Sequence, residues 1–205
     1  MDGNKELELV AQEVRVCTNC RLHLSRKNAV PGEGPANAEL MFIGEGPGFH
    51  ENEQGRPFVG AAGQFLEELL ASIGLRREQV FIGNVVKCRP PGNRDPQPDE
   101  IEACAPYLER QIRAMNPKVI VTLGRYSLAR FMPNARISAV HGQARVVNGR
   151  MVVPLYHPAA ALHQPSLRRV VEEDFSALPA CIQQARQTPA EVQEPPADPQ
   201  QLSFF

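Results

Sequence analysis

Four short apolar runs rich in β-branched residues punctuate the chain: ELMFIG (39–44), VFIGNVV (80–86), KVIVTLG (118–124) and MVVPLYH (151–157). Unbroken apolar runs of this length predict strands covered on both faces. Between them the apolar spacing changes to a helical one. GQFLEELLASIGL (63–75) puts Phe65, Leu66, Leu69, Leu70 and Ile73 on one face and stops at Gly74, a glycine suited to the position after a helix end. PDEIEACAPYLERQIRAM (98–115) opens with acids and aligns Ile101, Cys104, Leu108 and Ile112, with Pro106 expected to kink it or delay its start. A further helix is predicted over 166–178, with Leu167, Val170, Val171, Phe175 and Leu178 inward. Strands alternating with helices give an α/β fold, a central, mainly parallel four-stranded sheet with helices on both faces. In RVVNGRMVV (145–153), Asn148-Gly149 between valine-rich runs predicts a hairpin, so that the last strand is entered from a short antiparallel neighbour.

A length of 205 residues suits one well-buried domain and a tail. The expected domain covers 1–186, followed by a Pro-rich linker over 187–200, whose four prolines and three acids cannot build a core, and a final QLSFF (201–205). The N-terminus is charged and helix-like, with no apolar core of a signal peptide, and no apolar run approaches the roughly 20 residues needed to span a bilayer. A cytoplasmic protein without a membrane is therefore expected. Net charge is −1, which argues against a nonspecific polycation, but all 22 basic residues fall ahead of the tail, against 20 acids there. The body is compatible with nucleic-acid contact through a local patch.

Candidate chemistry collects where ligands bind in an open parallel sheet, beyond the carboxyl ends of its strands. GEGPG (44–48) follows the first strand, NVVKCRPPGNR (84–94) contains the end of the second, and HPAAAL (157–162) follows the fourth. GEGPG offers a carboxylate, Glu45, beside amides that a base or phosphate can approach closely. His157, before a proline at a strand end, is either a structural hydrogen-bonding residue or a catalytic one. Five cysteines are an odd count that speaks against a disulfide framework. Cys17 and Cys20 form a closely spaced pair, and Cys88 and Cys104 lie just past a strand and on the next helix. Four thiolates can close a tetrahedral zinc site or hold a four-iron, four-sulfur cluster. Two unrelated buried cysteines plus a turn would explain the same spacing, and Cys181 reads as simply buried.

Taken together, CTNC (17–20), GEGPG, GRPFVGAAG (55–63), GNVVKCRPPGNRDP (83–96), EACAPYL, VTLG and HPAAAL resemble the family 4 uracil-DNA glycosylases over Cys17 to about Leu178. The resemblance implies a three-layer α/β/α sandwich and a structural 4Fe–4S cluster on Cys17, Cys20, Cys88 and Cys104. It implies uracil-containing DNA as substrate, with the base extruded from the stack and its bond to deoxyribose hydrolysed. Phe58 would then stack on the base, and Asn84 would read it through one acceptor and one donor, a pattern that cytosine reverses. His157 would stabilise charge developing on uracil O2. Glu45, Gly46 and Pro47 would lie beside the sugar and the attacking water. Where other uracil glycosylases carry a water-activating aspartate or asparagine, Gly46 stands here, so Glu45 is open to three roles: base, charge stabiliser or water-positioner. Glu51 would stand near the uracil C5 edge, where a carboxylate could exclude the thymine methyl. Leu162 is the expected wedge into the vacated stack, and Arg168 and Arg169 the expected phosphate contacts. The first loop and HQPSLRR (163–169) depart from the commoner family form. A non-catalytic cysteine-metal module that binds nucleic acid or senses redox state is the rival reading, and it leaves Glu45, Asn84 and His157 without a task.

The tail has its own resemblance. Gln201, Leu202, Phe204 and Phe205 match the short peptide with which bacterial DNA-processing proteins dock on the sliding clamp. A spacer of about 14 residues gives a reach of roughly 20 Å if flexible and about 40 Å if extended. A monomer tethered at the clamp is the expected assembly.

Overall fold

The computed structural model describes residues 2–187. Along it run helix α1 (Gly3–Val16), strand β1 (Leu40–Gly44), helices α2 (Phe49–Gln54) and α3 (Ala61–Ser72), strand β2 (Phe81–Asn84), helix α4 (Pro98–Met115) and strand β3 (Val119–Leu123). Short helices α5 (Arg125–Ala129) and α6 (Ile137–Val140) lead to the hairpin β4 (Arg145–Val147) and β5 (Arg150–Leu155), followed by α7 (Pro158–His163), α8 (Ser166–Ser176) and α9 (Leu178–Gln187). The expected linker 187–200, apart from Gln187 itself, and the peptide 201–205 lie outside the described residues.

The sheet has five strands in the order β2-β1-β3-β5-β4, one more than expected. β1, β2, β3 and β5 are parallel, and β4 is the antiparallel neighbour that Asn148-Gly149 announced. Both turn residues have positive φ, 48° and 72°, as a tight two-residue hairpin requires. β4 is short and largely exposed, so it blunts the edge of the sheet more than it adds to the core.

The apolar strands divide alternate side chains between two cores. Leu40 and Phe42 face α3, α8 and α9, where Phe42 stacks on Phe175 at 5.7 Å, while Met41 and Ile43 face α1 and α4. This is the three-layer sandwich. α3 ends where expected: Gly74 (φ 74°) lets its own amide reach the Ala71 carbonyl and the Leu75 amide reach Leu70, which closes the exposed last turn. α4 starts at Pro98 without delay and continues through Pro106. Its first turn is tied by Glu100, which accepts from the Gln97 amide at 2.8 Å and from Arg94 at 2.6 and 2.8 Å. The helix predicted over 166–178 breaks at Ala177 and resumes as α9, which carries Cys181 into the core on the α3 side.

Candidate active site

The segments at the carboxyl ends of β1, β2 and β5 close around a cavity of about 390 Å³. Because β3 separates β1 from β5, the cavity straddles the end of β3, with the β1 and β2 loops on one side and α7 on the other. Glu45, Gly46, Pro47, Glu51, Phe58, Asn84 and His157 all line it, as do Asn93 and Arg94 from the loop after β2.

Phe58 and His157 form the floor. Their rings stack with centroids 5.4 Å apart and planes inclined by 27°. Phe58 is 5 % exposed and has φ 51°, a left-handed conformation that costs a non-glycine residue free energy. Its surroundings impose it. Arg77, nearly buried, donates to the Phe58 carbonyl at 2.9 Å and to the Pro57 carbonyl. α3 presses on the same peptide through Gly63, where a Cβ would stand 1.9 Å from the Phe58 oxygen. Glu51 fixes the next two residues: one of its oxygens accepts from the amides of Val59 (2.9 Å) and Gly60 (3.0 Å), the other from Gly48 (3.1 Å). The carboxylate expected to guard the C5 edge thus has both oxygens bound to backbone and staples the two loops together.

His157 lies at the start of α7, and its Nδ1 accepts the Ala159 amide at 3.1 Å. Burial holds the ring well below the usual histidine range, at about 4, against a smaller opposing pull from Glu51. The imidazole is therefore neutral at pH 7, and with Nδ1 occupied as acceptor its proton sits on Nε2, which becomes a hydrogen-bond donor. Asn84, at the end of β2, is 1 % exposed, and its Oδ1 is buried with no hydrogen-bond partner. Gly44 makes this packing possible, since a Cβ there would meet Asn84 Oδ1 at 2.4 Å and the Phe58 ring at 2.8 Å. Burial, and secondarily the Asp95 carboxylate, push the Glu45 carboxyl above its ordinary range, with Arg125 opposing.

Leu162 is 44 % exposed on α7. Arg168 and Arg169, expected to hold phosphates, are engaged elsewhere. Arg168 pairs with Glu68 (2.8 Å) and Glu172 (2.9 Å) and covers the Phe65 ring at 4.4 Å, and Arg169 pairs with Glu173 at 2.7 Å.

Behind the cavity, on the α1 and α4 side of the sheet, Cys17, Cys20, Cys88 and Cys104 line a second, apolar pocket. All four are free thiols. Donors point at the sulfurs: the Asn19 amide at Cys17 (3.4 Å), Arg26 at Cys88 (3.2 Å) and the Lys87 amide at Cys104 (3.2 Å). Burial pushes the Cys104 thiol up to about 11 and raises Cys20 and Cys88 as well. No group of three or more His, Cys, Asp or Glu side chains among the described residues is drawn together as for a metal ion. Cys181 lies on the opposite face of the sheet.

The two sites meet at Lys87. Its side chain is 1 % exposed, donates to the Asn84 carbonyl at 2.9 Å and to Gln111 at 2.7 Å, and Gln111 in turn donates to the Pro31 carbonyl at 2.7 Å. Sequence reasoning missed Lys87 and Arg77. A lysine inside the apolar run NVVKC was a visible signal for the first, whereas nothing local marks Arg77, which acts on residues 19 and 20 positions away.

Residues 31–178 match the uracil DNA glycosylase superfamily. The chain belongs to that superfamily. It is 52 % identical to the type-4 uracil-DNA glycosylase of Sulfurisphaera tokodaii over 179 residues, 82 % of this chain and 81 % of the relative. The type-4 enzyme of Saccharolobus solfataricus is 53 % identical over 179 residues, covering 82 % and 83 %. That of Thermotoga maritima is 47 % identical over 174 residues, covering 82 % and 91 %. The superfamily match contains every element that lines the cavity, and Cys88 and Cys104, but begins after Cys17 and Cys20. No helix among the described residues is long and apolar enough to cross a membrane.

Proposed function

We infer that this protein is a uracil-DNA glycosylase that hydrolyses the N-glycosidic bond of deoxyuridine in DNA and leaves an abasic site. The observation that carries the reading is the unpaired Asn84 Oδ1, buried in the one cavity where Phe58 and a neutral His157 also converge. A buried acceptor without a partner costs about 1–3 kcal/mol, which uracil N3–H recovers and cytosine, lacking that donor, does not. The Phe58 ring offers a face for the extruded base. His157 Nε2–H stabilises charge as it develops on O2, and as a neutral donor it needs no proton transfer to do so. A raised Glu45 carboxyl beside the first loop serves the sugar side, by positioning water or by balancing positive character on the sugar. Incubation with a uracil-containing oligonucleotide under chelator, then alkali, tests the activity by strand scission. Asn84→Asp should shift the preference toward cytosine or abolish activity, and full uracil activity in that variant would refute the assignment.

We propose that the thiol pocket holds a 4Fe–4S cluster on Cys17, Cys20, Cys88 and Cys104. Supporting this are the four free thiols that line one apolar pocket and the N–H donors aimed at three of them. Bound there, a cluster supplies a crosslink between the segment after α1, the loop after β2 and α4. A colourless protein containing zinc would overturn this.

The protein is further read as a cytoplasmic monomer recruited to the sliding clamp by Gln201, Leu202, Phe204 and Phe205. Deleting 201–205 should abolish clamp binding in a pull-down and leave activity on free oligonucleotides intact. Clamp binding retained by the deletion would end that proposal.

A further inference from the structure

Two exposed large apolar side chains flank the cavity from opposite sides: Leu162, 44 % exposed on α7, and Phe49, 52 % exposed, the first residue of α2. Phe49 comes directly after the cavity-lining Gly48. Its ring carries the Arg89 guanidinium 5.3 Å from its centroid and meets His50 edge-on at 5.4 Å. Arg89 in turn precedes the cavity-lining Pro90, and its Nε donates to Asn93 Oδ1 at 2.7 Å, a residue that also lines the cavity.

The charges around the cleft set Arg89 apart. Arg94 is held by Glu100, Arg125 by Asp95, Arg168 by Glu68 and Glu172, and Arg169 by Glu173. Arg89 makes no ion pair among the described residues. A guanidinium braced by an amide oxygen and an aromatic ring, yet without a carboxylate, is a cation poised for an anion from outside. Beside it lies an aromatic face that solvent reaches.

We propose that Phe49 and Arg89 form a second DNA contact on the β1–β2 rim of the cavity, across from Leu162. The ring takes the face of the base next to the extruded nucleotide, and the guanidinium takes that nucleotide's phosphate. The occupant is a DNA strand locally opened at one nucleotide, because only an unstacked neighbour presents a free base face and an adjacent phosphate together. The contact would hold the strand on one side while α7 acts on the other.

The proposal rests on the glycosylase reading, and its test separates the two. Binding of the full-length protein to a fluorescein-labelled single strand carrying one tetrahydrofuran abasic analogue is measured by anisotropy across a salt series. Phe49→Ala should weaken the affinity about 5- to 100-fold, the range expected for loss of one base–aromatic stack, while the rate at saturating protein falls by a smaller factor. Phe49→Trp should restore affinity and Phe49→Leu should not. Arg89→Gln should reduce the slope of log affinity against log salt by about 0.7, one single-strand phosphate contact. An affinity of Phe49→Ala within twofold of the parent, or equal affinities of the Trp and Leu variants, overturns the proposal when the parent protein releases uracil. Failure of the parent to release uracil overturns the glycosylase reading instead.

Discussion

The cavity at the carboxyl rim and the thiol pocket behind it are built on opposite principles. The cavity is open, and its polar groups are arranged so that one is left wanting: Glu51 is satisfied by three amides, His157 Nδ1 by a fourth, and Asn84 Oδ1 by nothing. The thiol pocket is apolar, and burial raises its Cys20, Cys88 and Cys104 thiols above their ordinary range. The first is preorganised for a ligand that comes and goes. The second suits a group that displaces protons and stays. The superfamily match holds the whole cavity but only two of the four thiols, Cys88 and Cys104. Lys87 joins the two, with its amide on Cys104 and its ammonium on the Asn84 carbonyl.

The largest effect expected is at the cavity. His157→Ala removes the Nε2–H donor and should lower turnover about 100- to 1,000-fold, the usual cost of one oxyanion-type donor, with a far smaller loss of affinity for uracil DNA. Single-turnover kinetics beside equilibrium binding separate the two, and a parallel loss of both would assign His157 to binding alone. Next comes the thiol pocket. Cys88→Ala or Cys104→Ala should abolish visible absorption of the purified protein and lower its melting temperature. Cys181→Ala, on the other face of the sheet, should keep the absorption and cost only about 1–2 kcal/mol as a buried truncation. If all three variants kept their colour, the contrast between the two faces would fail.

A smaller effect tests how the floor of the cavity is held. Arg77→Ala removes the guanidinium from the Phe58 and Pro57 carbonyls and should relax Phe58 from its left-handed conformation. Loss of charged hydrogen bonds worth about 1.5–3 kcal/mol predicts roughly a tenfold rise in KM or more, with partial rescue by Arg77→Lys. A lower melting temperature without any change in KM would make Arg77 merely structural.

Much of this was legible in the chain. The four parallel strands announce themselves because a strand buried on both faces has no reason to alternate, and Asn148-Gly149 marked the antiparallel addition. The cavity's residues were found because three loops at one rim carry unusual side chains. What stayed hidden is non-local. Arg77 sits in an ordinary polar turn and acquires its role only when the chain folds back on Phe58. For Arg168 only the Glu68 partner on α3 is distant; Glu172 and Glu173 stand four residues on from Arg168 and Arg169 in the predicted helix and were readable there. The break between α8 and α9 was masked because Leu178 and Cys181 continue an apolar pattern through the bend at Ala177. Helices of one or two turns, α2 and α5 to α7, are too short to show a period at all.

The smallest expected effect comes from the same His157 that gives the largest. Its folded-state pKa lies near 4, below the ordinary histidine value of 6.5, because burial disfavours the charged ring. Above pH 6.5 the ring is neutral whether the chain is folded or not, and it contributes no pH dependence. Between 6.5 and 4 the unfolded chain takes up a proton that the folded one refuses, so this residue makes stability fall as pH falls through that window. Activity should not show a histidine limb near neutrality, since the neutral donor persists down to about 4. Melting temperatures of the parent and of His157→Gln, measured from pH 8 to 4.5, should converge on the acid side, because the variant lacks the titration. A difference that stayed constant with pH would mean that His157 is solvated rather than enclosed by the cavity.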